Sequence, residues 1–273
     1  MKLTCLVDNE TAKKELGTEH GLSLLIQTAE RNILFDTGAS GLFAANAAKL
    51  GVDLSVVDTV ILSHGHYDHG GGLQTFFELN TRAKAYIRDN AFGEFYSVHG
   101  DTIRYIGIDK TLKSHPRVVL TDGVTELGRG WTLFSLQSRK DALFSTNANL
   151  KEKTADGYRQ DGFAHEQNLI VEENGVKVLV AGCAHNGITN IIRGFIDKKG
   201  CPPDVVIGGF HLAHPASGFC ERDAVIDGLA DTLGSYNTAY YTCHCTGLEP
   251  YARLKQRLGD KINYIAAGDS INI

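Results

Sequence analysis

Apolar positions fall mainly into short alternating or β-branched runs, each closed by glycine or a polar residue. Residues 2–8, 22–28 and 31–35 read as strands, and the polar stretch from Asn9 to Gly21 as an exposed loop. Residues 41–50 form an Ala-rich amphipathic helix that Ser40 can cap and Gly51 ends. Val56 to Leu62 is a buried strand. A helix over 72–79 follows, with Leu73, Phe76 and Phe77 as its apolar stripe. Next come a strand at 83–87, an aromatic-rich helix at 90–98 and a meander at 118–120, 125–127 and 131–136. Residues 168–171 and 176–180 flank Glu172-Glu173-Asn174-Gly175, a hairpin signal. Ile188, Ile191, Ile192, Phe195 and Ile196 are spaced as one helical face. The remainder predicts strands at 205–207, 239–243 and 262–266 and helices at 220–233 and 250–258.

No linker or low-complexity tract interrupts this pattern, so residues 1–273 read as one domain. The longest polar segment, 137–167, reads as a lid loop. Its Lys151, Lys153 and Arg159 can grip an acidic substrate or simply form a solvated charge run. His165-Glu166 at its end can reach a cleft. The aromatics Phe92, Phe95 and Tyr96 read as packing, and the isolated His99 and His115 as structural or surface residues.

The chemistry concentrates after the strand that ends at Leu62. His64, His66, Asp68 and His69 fall within six residues, among Gly65, Gly70, Gly71 and Gly72. Imidazole nitrogen and carboxylate oxygen are the donors that borderline divalent metals take. In extended backbone His64 and His66 leave on the same side and can pinch one ion, while Asp68 and His69, past a turn, can aim at a second. The glycines permit tight turning and leave room above the metals. A solvated histidine-rich loop would not follow a core strand and open a helix. Other strands also end in candidate residues: Asp36 in Asp36-Thr37-Gly38, His185 in Cys183-Ala184-His185, His211 in Gly209-Phe210-His211 and His244 in Cys243-His244-Cys245. His214 is a weaker candidate. Strand alternation turns Cys243 and Cys245 away from His244, as buried thiols.

Composition narrows the rest. The chain is 42% hydrophobic and 22% charged, enough for a full core. A net charge of −5 argues against a nucleic-acid backbone as the main partner. No run approaches a membrane span, and the first residues lack the apolar core of a signal peptide, so a cytoplasmic protein with no membrane partner is expected. Six cysteines in a chain of this length read as free thiols rather than a disulfide framework.

His64-x-His66-x-Asp68-His69 resembles the signature of the metallo-β-lactamase fold superfamily. That resemblance implies an α/β fold, an αββα sandwich of two mixed β-sheets flanked by helices. It implies His64, His66 and His185 on one metal, and Asp68, His69 and His244 on the other. It makes Asp36 a partner to a metal-site histidine through the ring's other nitrogen. Zinc is the default for the two divalent ions, and iron or manganese suits the same donors. Many members carry a bridging Asp, and some a Cys, where this chain has His211. A neutral imidazole offers one lone pair, which leaves His211 as a ligand of one metal, an acid/base or a pocket residue. Asp68 can orient or deprotonate a water. The implied reaction is hydrolysis of a small, ester-like substrate, with phosphorylated or otherwise anionic compounds included.

The stretches Leu62 to Leu73, Gly182 to Gly187, Gly208 to Leu212 and Cys243 to Gly247 look like the dihydropterin methyl-ribofuranosyl-aminobenzene phosphate synthase branch. The alternatives are therefore a transferase using the same metals and a metal-dependent binding protein without turnover. A diiron redox protein is disfavoured, because such relatives usually have an acidic residue where His66 stands. Oligomeric state is not legible.

Overall fold

The computed structural model describes residues 1–214 and 218–273, in two compact units. The first comprises Met1–Asp122, Asn149–His165 and Ala266–Ile273. Its seven-stranded sheet runs Ser270–Asn272, Lys2–Val7, Ser23–Gln27, Asn32–Phe35, Thr59–Ile61, Lys84–Arg88, Val118–Thr121. Pairing is antiparallel as far as Asn32–Phe35 and parallel beyond it. The change follows from the connections. Helix Leu42–Lys49 precedes Thr59–Ile61 and helix Leu73–Leu79 precedes Lys84–Arg88, and parallel neighbours need such crossovers. Phe43, Ala47, Leu73, Phe76 and Phe77 from these helices join Leu34, Val60, Ala85 and Ile87 in one core cluster, the face that the apolar periodicity predicts.

This unit departs from the sequence reading twice. The helix expected over 90–98 is a short turn, Asp89–Phe92, followed by strand Phe95–His99. Gly93 is extended and breaks the turn, after which burial alternates at Phe95, Tyr96 and Ser97 as a pleat requires. The segment read as a lid contains a hairpin, Leu150–Thr154 with Gly157–Gln160, which pairs with Phe95–His99 in a four-stranded sheet completed by Thr102–Tyr105. Its polar composition had hidden it, because the charges are used across the strands. Glu152 faces Arg159 and pairs with it at 2.8 Å, Lys151 donates to Gln160 at 3.0 Å, and Lys153 lies over the Tyr158 ring.

The second unit comprises Gly123–Ala148 and Glu166–Ile265. Its seven-stranded sheet runs Ile262–Tyr264, Ala239–Thr242, Val205–Gly208, Val176–Val180, Asn168–Glu173, Trp131–Phe134, Val124–Gly128. The first four strands are parallel, joined through helices Ile188–Lys199, Asp223–Gly234 and Leu248–Leu258, and the rest are antiparallel. Ile188, Ile191, Ile192 and Phe195 are fully buried, in one core cluster with Leu229, Leu233, Leu254 and Tyr240. Asn174 and Gly175 both have positive φ, as a two-residue hairpin turn demands.

In each unit the candidate residues stand just beyond the carboxyl ends of adjacent parallel strands. Asp36 and the His64–His69 turn follow two such strands in the first unit, and His185, His211 and His244 follow three in the second. Side chains leaving these ends converge, which is why open α/β sheets bind ligands there. The His64–His69 turn is packed too closely for larger residues. A Cβ on Gly71 would stand 2.2 Å from the Ala39 carbonyl oxygen, and one on Gly72 would stand 2.3 Å from that of Thr37. Gly72→Ala should therefore lose about 2 kcal/mol of stability in urea unfolding, the ordinary cost of overpacking against immovable backbone.

Candidate functional site

In the first unit the structure brings together His64, His66, Asp68 and His69, all buried, around a carboxylate with no exposed surface, Asp36. Asp36 Oδ1 accepts the Ser63 amide at 2.7 Å. Its Oδ2 accepts the Ser63 hydroxyl at 2.7 Å and His69 Nδ1–H at 2.6 Å. The Ser63 hydroxyl has then spent its only hydrogen, so it accepts from His64 Nδ1–H at 2.8 Å. One carboxylate thereby fixes two tautomers and leaves the lone pairs of His64 and His69 on Nε2. Thr37 adds a second tie, its amide and hydroxyl both donating to the His69 carbonyl, at 2.7 and 3.0 Å. Asp68 Oδ2 lies 3.6 Å from His69 Nε2 and 3.3 Å from the half-exposed ring of His20.

His66 begins helix Tyr67–Gly70, with its ring centroid 4.5 Å from that of His64. Burial, reinforced by the neighbouring His165, pushes its pKa down to about 3. It is a neutral imidazole near pH 7, the form that ligates metals. His165 accepts the Gly65 amide on Nδ1 at 3.0 Å, and its Nε2 meets Asp161 at 3.0 Å. Burial opposes ionisation of Asp161, but His165, His66 and the Phe163 amide hold its carboxyl below the usual value. Beside this pair opens a cavity of about 370 Å³, lined in part by Asn90, Phe95, Arg159, Asp161 and His165.

In the second unit the structure places His185, His211 and His244 at neighbouring strand ends, all buried. The ring centroids of His185 and His211 are 4.2 Å apart. Asn147 Nδ2 donates to the His185 carbonyl at 3.3 Å, which orients the amide so that Asn147 Oδ1 accepts His185 Nδ1–H at 2.8 Å. The lone pair of His185 is again on Nε2. Glu166, buried, accepts the backbone amides of His185 and Asn186 at 2.7 and 3.1 Å and locks this turn. His211 is 7% exposed, and one of its ring nitrogens lies within 4.8 Å of the Cys183 and Cys245 sulfurs. Of the six non-glycine residues with positive φ among the described residues, Asp36, Ala184, His211 and His244 belong to these clusters or adjoin them. Such strain persists only where surrounding structure enforces it, and it gathers at functional sites.

The donor set fits a borderline divalent ion: buried imidazoles, with His64, His69 and His185 presenting Nε2, and a carboxylate among them. Sequence reading missed Ser63, Asn147 and Asp161. Only Ser63 carried a signal, as the small polar residue between a core strand and the first histidine. Cys243 and Cys245 are buried free thiols, as expected. Residues His244–Thr246 form a turn, and Cys245 Sγ lies within 4.8 Å of Cys183 Sγ and a His211 nitrogen. The isolated histidines pack as read, His115 stacking on Phe77 at 4.0 Å and His99 meeting Asn149 at 3.2 Å. His64, His69 and His185 of the metal-free chain should appear as Nδ1–H tautomers in long-range nitrogen–proton NMR. Asp36→Asn should abolish the preference at His69 and leave that of His185 intact.

Residues 16–135 match the family model described as the metallo-beta-lactamase superfamily. An uncharacterized protein of Methanocaldococcus jannaschii is 27% identical, over 92% of this chain and 93% of its own length. The 7,8-dihydropterin-6-methyl-4-(β-D-ribofuranosyl)-aminobenzene-5′-phosphate synthase of the same organism is also 27% identical, over 93% of this chain and 90% of its own. The crystal structure of a metal-dependent hydrolase of the β-lactamase superfamily superposes with a TM-score of 0.84 at 28% identity, covering 100% of this chain and 99% of that one. Among the described residues no helix is long and apolar enough to cross a membrane. With candidate donors at strand ends of this kind, the chain has the metallo-β-lactamase fold along its whole length, and its residues 16–135 match the superfamily's model.

Proposed function

We propose that the protein is a metal-dependent hydrolase of a small, ester-like substrate, phosphorylated compounds included. His64, His66 and His185 hold one divalent ion, and Asp68, His69 and His244 hold a second. Zinc is the expected ion, and iron or manganese suits the same donors. The observation that carries the reading is the relay from Asp36 through Ser63, which turns the lone pairs of His64 and His69 to Nε2. A buried carboxylate set behind an imidazole in this way raises its basicity as a ligand. When bound, the ions supply Lewis-acid polarisation of a substrate oxygen and lower the pKa of a water.

The chain's own groups do the rest. Asp68 Oδ2 orients the attacking water and takes its proton. His211, buried at a neighbouring strand end, is the acid that protonates the leaving oxygen. The cavity beside His165 offers a small molecule a polar wall at Asp161 and Arg159 and an apolar one at Phe95. A negative net charge is poorly suited to a nucleic-acid substrate.

A second reading is favoured by the similarity to the archaeal synthase, which extends over 93% of this chain. In it the same ions activate a phosphate leaving group in a transfer reaction. Pyrophosphate release from pterin and aminobenzene-phosphate substrates would select that reading. Hydrolysis of phosphodiesters, thioesters or lactones would select the first. Metal without turnover on any of these would leave a binding protein.

Elemental analysis of the purified chain should find two divalent ions per molecule. His66→Ala and His185→Ala should lose metal and turnover together. His211→Ala should lower turnover by about 100-fold or more, the usual contribution of a general acid, and keep its metal. Equal loss of both would make His211 a ligand instead.

A further inference from the structure

Cys183 is the donor around which the second unit's candidate ligands gather. Its Sγ lies within 4.8 Å of a ring nitrogen of His185 and of one of His244, and within the same distance of His211 and Cys245. The thiol is 2% exposed and stands two residues before His185, past the carboxyl end of strand Val176–Val180. The neighbouring Cys245 thiol is directed at the Cys183 carbonyl oxygen at 3.7 Å and lies beside His211. Its place is kept by Gly209, where a Cβ would come within 2.5 Å of its sulfur. Buried His211 brings a ring nitrogen within 4.8 Å of both the Cys183 and Cys245 sulfurs.

We infer that Cys183 is a thiolate ligand shared by the ions that His185 and His244 hold. The inference rests on the metal reading above and assigns it one further donor. It also accounts for His211. An imidazole has one lone pair and cannot span two ions, as the carboxylate usual at that position does. A thiolate sulfur has more than one lone pair and can. Sulfur and imidazole together are an ordinary zinc donor set, with sulfur about 2.3 Å and nitrogen about 2.0 Å from the ion. Two such ligands on a tetrahedral ion stand about 3.5 Å apart, a spacing that falls inside the 4.8 Å limit these donors keep to. The sulfur–hydrogen bond breaks as the sulfur–metal bond forms, and the proton passes to solvent. Nothing is oxidised or reduced.

Cobalt(II) loaded into the metal-free chain reads this directly. The wild type should show a sulfur-to-cobalt charge-transfer band in the near ultraviolet, with cobalt bound as measured by elemental analysis. Cys183→Ser should lose the band, while Cys245→Ser and Cys243→Ser keep it. A zinc-edge X-ray absorption spectrum of the zinc-loaded wild type needs no variant and should contain a sulfur scatterer at about 2.3 Å. Bound metal with a nitrogen and oxygen shell alone, or a band that survives in Cys183→Ser, overturns the inference and leaves the hydrolase reading standing. Failure of the wild type to bind cobalt or zinc overturns both.

Discussion

Everything in the first unit's site depends on one buried carboxylate. Asp36 has no exposed surface and accepts three hydrogen bonds, from a backbone amide, a hydroxyl and an imidazole. A carboxylate in that position would be costly without them, and each partner would be costly without it. The mutual need joins the strand that carries Asp36 to the turn that carries the histidines. Because the proton positions follow from the bonding, the same contacts decide which face of each ring can donate electrons. The second unit reaches the same end with different parts. A neutral amide, Asn147, fixes His185, and a second buried carboxylate, Glu166, holds the backbone beneath it.

The sheets explain why so few residues suffice. Each unit changes from antiparallel to parallel pairing partway across, and the candidate ligands stand at the carboxyl ends of parallel strands. Antiparallel hairpins extend each sheet cheaply in chain length. Parallel crossovers, with their helices, bring distant segments to one edge. His185, His211 and His244 span sixty residues of sequence yet follow three neighbouring strands.

Much of this was legible before any coordinates. The strands at 22–28, 31–35 and 176–180, the Asn-Gly hairpin and the helix through Ile188 and Phe195 were written in periodicity and turn chemistry, which are local. So was the clustering of His64, His66, Asp68 and His69. What failed was non-local. The hairpin at Leu150–Gln160 looked like loop because its strands are amphiphilic only toward each other. Phe95 to His99 carries aromatics that suit helix or strand, and pairing decided between them. Asn147 and Asp161 lie in polar sequence where nothing distinguishes a buried acceptor from a solvated one. Cys243 and Cys245 are the buried thiols their sequence position suggested, but the proximity of Cys245 to Cys183 and His211 is non-local and could not be read.

The backbone itself records a conflict between durability and purpose. Asp36, Ala184, His211 and His244 occupy left-handed conformations that glycine would adopt without strain, at a cost of order 1 kcal/mol each. Glycine at His211 or His244 would relax the main chain and remove the imidazole. Selection for heat resistance alone would thus drift toward sturdier and inert molecules. Any effort to harden this chain should hold those four positions fixed and look for its gains on the exposed faces of the helices.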